Sequence, residues 1–107
     1  MKICIPTTDP NLSSPIDQVF GRCGYFLIVD SESEKFKIQA NKAKEAERGA
    51  GIQASQTVVD LGAEVVICSN IGPNALSVLQ ESGVKVISGV SGTAKEALEK
   101  FKSGELK

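Results

Sequence analysis

The sequence predicts an α/β domain built on a five-stranded mixed sheet flanked by three helices. Three observations lead there. Short apolar runs of strand length recur along the chain, three amphipathic segments are each followed by glycine, and the order is β-β-β-α-β-α-β-α. Consecutive strands give an antiparallel start, and strands separated by helices give a parallel second half. The first strand is expected to pair antiparallel with the second and parallel with the fourth.

Each element has its reason. Lys2–Pro6 reads as a strand because Ile3, Cys4 and Ile5 are apolar in succession. Residues 7–24 form a long connection rich in Thr, Asp, Pro, Ser and Gly, and such a loop in a small domain is more often functional than idle. Tyr25–Asp30 is a second strand, its continuous apolar run suggesting burial on both faces. After a polar turn at Ser31–Glu34, Lys35–Ala40 alternates, with Phe36 and Ile38 on one face. It reads as an edge strand kept soluble by Lys35 and Lys37.

Asn41–Arg48 is a charged, polar linker. The first helix spans about 50–61, with Ile52, Val58, Val59 and Leu61 toward the core. The second spans about 73–82, using Ala75, Leu76, Val78 and Leu79. The third spans about 92–102, where Ala94, Ala97, Leu98 and Phe101 repeat at i, i+3, i+4, i+7. Gly62, Gly83 and Gly104 follow the helices, where a left-handed terminal residue is favoured. Strands four and five occupy 64–69 and 84–88.

Composition narrows the function classes. A chain of 107 residues reads as one domain with a single core. The net charge of −1 gives no electrostatic reason to expect a nucleic acid or an anionic membrane as partner. No apolar stretch approaches the ~20 residues of a membrane span. The opening residues are too briefly apolar for a secretory signal, so a cytoplasmic location is expected. Histidine is absent, which removes Ser-His-Asp and Cys-His catalysis and every His-based metal site. Cys4, Cys23 and Cys68 have no CxxC spacing and suggest neither a disulfide framework nor a zinc site. Asp9, Asp17 and Asp30 are scattered, so no paired carboxylates support two-metal chemistry.

Three glycine-containing turns stand where helices begin. In Ser69–Ala75 an apolar run ends in a turn that starts the second helix. There Gly72 frees the backbone, and Pro73 suits the first helical position. Asn70 and Asn74 could fix this turn or reach a ligand. Gly49-Ala50-Gly51 and Ser91-Gly92-Thr93 precede the other two helices. Free N–H groups and the helix dipole favour a bound anion. Three such turns suggest one shared pocket beyond the parallel strands. The plainer alternatives are conformational roles for Gly49 and Gly51 and capping by Ser91 or Thr93.

Gly21-Arg22-Cys23-Gly24 ends the long loop. It combines a fixed positive charge, a thiol and flexible flanks. A neighbouring guanidinium favours thiolate, so Cys23 could ligate metal or react. The alternative is an Arg on the surface with a Cys tucked under the loop. Cys4 and Cys68, inside apolar strands, read as core residues that should label more slowly than Cys23.

With these segments in view, the chain resembles the nitrogenase iron–molybdenum cofactor biosynthesis and carrier family, including its small stand-alone members. The likeness covers residues 1–106. It runs through Ser14-Pro15-Ile16, Phe20-Gly21-Arg22, Tyr25–Asp30, Gly49–Ala54, Asn70–Ala75 and Ser91-Gly92-Thr93, in order and spacing. The resemblance implies a ribonuclease-H-like fold and a role in binding, carrying or assembling an iron–sulfur or molybdenum-containing cluster. Cluster-assembly or acceptor proteins would be its partners. Val19 stands where many relatives have His before Phe-Gly-Arg, so histidine ligation does not carry over.

The expectation is a non-enzymatic cluster carrier. Arg22 and backbone N–H groups at Gly21, Gly49, Gly51, Asn70, Gly72, Ser91, Gly92 and Thr93 would face the cluster, with Cys23 as metal ligand. A small enzyme or sensor binding a phosphorylated metabolite, or a protein–protein adaptor, are the alternatives.

Overall fold

The structure, a computed structural model, describes residues 1–106. Five strands form one sheet: β1 (Lys2–Thr7), β2 (Tyr25–Asp30), β3 (Phe36–Ala40), β4 (Val65–Ile67) and β5 (Lys85–Ile87). Their spatial order is β3-β2-β1-β4-β5. β1 runs antiparallel to β2 and parallel to β4, as expected from the sequence. The β2–β3 pair is antiparallel and the β4–β5 pair parallel. The mixed sheet is therefore a hairpin joined through β1 to a parallel half.

Three helices cover it: α1 (Ala50–Asp60), α2 (Pro73–Glu81) and α3 (Ala94–Lys102). Gly62, Gly83 and Gly104 lie just past the helices with φ of 80°, 80° and 85°, the left-handed region that glycine enters without a Cβ clash. β4 and β5 are each three residues long, shorter than the strands expected at 64–69 and 84–88. The flanking residues pair outside the ladder, with Cys68 donating to the Ile87 carbonyl and Glu64 to that of Lys2.

Alternation along the strands sorts the core into two clusters. Cys4, Phe26, Ile28 and Val66 face one side, beneath Ala54 and Val58 of α1 and Ala75 and Leu79 of α2. Ile3, Ile5, Leu27, Val29, Val65 and Ile67 face the other, beneath Ala94, Ala97 and Leu98 of α3. α1 and α2 thus share a face, and α3 stands alone on the opposite one.

This split corrects the expectation that three helix starts meet. The right-handed crossover rule constrains a helix only when a parallel strand follows it. Among the described residues no strand follows α3, so the rule leaves its face open, and its apolar stripe seats against the other side of the sheet. A second correction concerns Ile52, expected in the core but 46% exposed. The buried residues of α1 are Ala50, Ala54, Ser55 and Val58. At about 100° per residue, Ile52 lies some 200° from both Ala50 and Ala54.

The long loop connects both faces. Its first half hydrogen-bonds toward α3, with Ile16 N–H donating to Gly92 and Ala94 N–H to Ser14. Its second half crosses to the α1/α2 side and ends in a 3-10 turn, Phe20–Arg22. Phe20, 1% exposed, packs against Phe26 with ring centroids 5.7 Å apart and pins that turn to the core.

Candidate functional site

A pocket of about 280 Å³ lies between the 3-10 turn and the first turns of α1 and α2. Its walls are built by close backbone approach. A Cβ on Gly21 would stand 2.8 Å from the Gly51 N and Cα, and one on Gly51 would stand 3.3 Å from the Ala75 Cβ. Gly21, Gly51 and Ala75 therefore stack the 3-10 turn, α1 and α2 at distances that larger side chains would forbid. Ser55 locks the pair: its hydroxyl oxygen lies 2.8 Å from the Gly51 carbonyl oxygen and 3.1 Å from that of Ala75, and its one proton is shared between them.

The two helix starts lining this pocket lack caps. Gly49 and Gly72 occupy the N-cap positions, and neither has a side chain to accept a hydrogen bond. Among the described residues, the N–H groups of Ala50, Gly51, Ile52, Asn74 and Ala75 have no acceptor. All five residues line the pocket. Gly49 has φ of 71°, which accounts for glycine there. Gly72 differs. Its φ of −75° and ψ of 162° suit any residue, and a Cβ on it would meet nothing within 4 Å. Neither strain nor packing calls for glycine at position 72; its effect is to keep the start of α2 bare.

Arg22 brings the full positive charge. Its Nη1 donates to the carbonyls of Lys44, at 2.9 Å, and Ala46. These bonds anchor the guanidinium at the pocket rim, and its other N–H groups have no acceptor among the described residues. Such a fork suits a multi-oxygen or multi-sulfur anion.

The remaining predicted residues sit elsewhere. Asn70 ties the loop to the end of β4. Its Nδ2 donates to the Gln18 carbonyl at 2.9 Å and its own carbonyl accepts the Phe20 N–H at 3.0 Å, so it positions the 3-10 turn. Ser91, Gly92 and Thr93 belong to the opposite face. There Thr93 accepts the Glu96 N–H through its hydroxyl, and Glu96 accepts the Thr93 N–H in return, a capping box. Lys95 N–H donates to Leu12, completing the satisfaction of that helix start.

Cys23 lies apart from the pocket. It is fully buried and absent from the pocket lining. Burial, then the nearby Asp17 charge, push its thiol up to about 12, against a smaller opposing effect of the Asn41 hydrogen bond. Burial pushes Cys68 to about 11, and it pushes Cys4 well above the ordinary thiol value. All three thiols are free and buried, and none lines the pocket. No group of three or more His, Cys, Asp or Glu side chains able to hold a metal occurs among the described residues.

Asn41 is the residue that sequence reasoning missed. It is 7% exposed, and its Nδ2 donates to the carbonyls of Gly21, at 3.1 Å, and Cys23, at 2.9 Å. It thereby fixes the backbone on both sides of Arg22. Its place in a charged linker gave no signal. Elsewhere, a groove of about 470 Å³ runs between β3 and Leu61, lined by Ile28, Phe36 and three lysines.

The chain matches the dinitrogenase iron-molybdenum cofactor family over residues 1–104. Uncharacterized protein MJ0580 of Methanocaldococcus jannaschii is 34% identical over 109 residues, spanning 99% of this chain and 89% of that protein. Among solved structures, the apo form of the orange protein from Desulfovibrio gigas superposes with a TM-score of 0.95 at 30% identity, covering 99% of this chain and 90% of that one. The NMR structure of TM1290 from Thermotoga, described as a candidate NifB protein of the DUF35 family, gives 0.85 at 37% identity, covering 99% and 90%. No helix among the described residues is long and apolar enough to cross a membrane.

Proposed function

We propose a function for this chain, which belongs to the dinitrogenase iron-molybdenum cofactor family: it holds an anionic metal–sulfur cluster as cargo and carries out no chemistry on it. The observation that carries this reading is the pair of uncapped helix starts facing one pocket, with bare Gly72 between ligand and helix. The residues that carry the five free backbone N–H groups line the same pocket as Arg22, so a negative charge held there would sit beside them. Each helix start contributes roughly 0.3–1 kcal/mol toward an anion, more where it is partly buried.

The donor set also says how the cargo would be held. The pocket lining contains no thiol, imidazole or carboxylate. A cluster there would keep its own sulfides as metal ligands and accept N–H hydrogen bonds through them. Such binding needs no ligand exchange at the metal, which suits a protein that must hand its cargo to an assembly or acceptor partner. Reading the sheet order β3-β2-β1-β4-β5 as ribonuclease-H-like belongs to the same proposal.

A phosphorylated metabolite is the second reading, because uncapped helix starts hold phosphate by the same bonds. Anaerobic titration with tetrathiomolybdate, and separately with iron and sulfide, followed by metal analysis, tests the first reading. Bound metal in the wild type, reduced about tenfold or more in affinity by Arg22→Ala, is the expected result, since a hydrogen bond to a charged group contributes about 1.5–3 kcal/mol. No uptake under either condition, with binding of phosphate esters instead, would move the assignment to the metabolite.

A further inference from the structure

The pocket has apolar groups at its rim that the core does not use. Val19 is 50% exposed and Ile52 46%, and both line it. Neither is free to turn away. Val19 bridges Asn70 through its backbone, and its carbonyl accepts the Arg22 N–H at 3.1 Å. Ile52 sits in the first turn of α1, where its own amide is one of the free donors. Both side chains are β-branched and restricted at χ1, so their methyl groups hold fixed positions beside the donors.

That juxtaposition distinguishes two kinds of anion. An oxyanion concentrates charge on small, strongly hydrated oxygens, and stripping its water against an apolar side chain is unfavourable. A sulfur-rich anion of the same charge spreads it over larger, polarizable atoms. It loses less hydration and gains dispersion and apolar burial against the same side chains. Resting on the anion-pocket reading above, we propose that Val19 and Ile52 are specificity-determining residues that make the pocket select thioanions over oxyanions of equal charge and shape.

Tetrathiomolybdate and molybdate are such a pair: both tetrahedral, with the same charge, differing in sulfur against oxygen. Calorimetric titration of each anion into wild type, Val19→Ser/Ile52→Ser and Val19→Leu/Ile52→Leu tests the proposal, with circular dichroism confirming that each variant is folded. The wild type should favour tetrathiomolybdate by about tenfold or more, the scale that one or two buried apolar side chains supply. The serine variant should lose most of that preference through weaker thioanion binding, with molybdate affinity nearly unchanged. The leucine variant should keep it. Equal affinity of the wild type for both anions, or an undiminished preference in the serine variant, overturns the proposal while leaving the anion pocket standing. Failure of the wild type to bind either anion overturns both.

Discussion

The starts of α1 and α2 and the start of α3 are the same structural object finished in two ways. At α3, the Thr93–Glu96 box and the carbonyls of Leu12 and Ser14 take up the first N–H groups. At α1 and α2, glycine occupies the cap, and five N–H groups without an acceptor belong to residues that line the same pocket as Arg22. A serine cap in place of glycine stabilises a helix by roughly a few tenths of a kcal/mol, so leaving two starts bare forgoes a small stability that a serine at position 72 could supply. Helix starts are common; the difference in capping is what separates a ligand surface from a finished end.

The largest expected effects test what builds the open end. In folded protein all three cysteines should react with thiol reagents orders of magnitude more slowly than in denaturant, because each is buried and burial pushes each thiol up. Rapid native labelling of Cys23 would restore a thiolate to the site and break the contrast between backbone donors and protein ligands. Gly21→Ala should destabilise the protein by about 1–3 kcal/mol, measured by urea unfolding, because its Cβ would press on Gly51 backbone that cannot move aside. A neutral result would mean that the wall between the 3-10 turn and α1 is looser than described.

The closed end should give smaller effects and no change in ligand binding. Thr93→Ala should cost about 1 kcal/mol and leave anion affinity unchanged. A matching loss of affinity would place α3 in the site after all. Glu96 adds a pH signature. Hydrogen bonds from the Thr93 backbone and side chain hold its carboxyl below the usual 4.5. Its contribution is therefore fully present above that value and is lost as pH falls through the lowered one. Glu96→Gln should remove a slight acid-side loss of stability; unaltered pH dependence in that variant would show that the box carries no charge-dependent share.

Sequence and structure agree where a residue's own backbone preference decides the outcome. Gly62, Gly83 and Gly104 ended the helices legibly because few residues tolerate their left-handed φ. The β1–β2 and β1–β4 pairings followed from element order alone. Tertiary choices were not legible. The face that α3 takes is set by where its apolar stripe seats, with no following strand among the described residues to fix a crossover. Arg22 and Cys23 are neighbours in sequence, yet Arg22 is exposed at the pocket and Cys23 is buried away from it, so adjacency said nothing about whether they share a surface. Ile52 failed because its apolarity serves the pocket rim rather than the core. The glycines at 21 and 51 were read as flexible or donating, whereas their missing side chains are what lets three backbone segments meet.

Gly72→Ser tests the central claim most directly, because the extended backbone at that position lets a hydroxyl cap α2 without strain. Thermal unfolding and anaerobic tetrathiomolybdate titration should be measured on the same preparation. The account predicts unfolding at an equal or higher temperature, reflecting about 0.5–1 kcal/mol from the new cap and a stiffer unfolded chain, together with about tenfold weaker anion binding. Gain in stability with undiminished affinity would contradict it, showing that the open start of α2 is not where the anion is held.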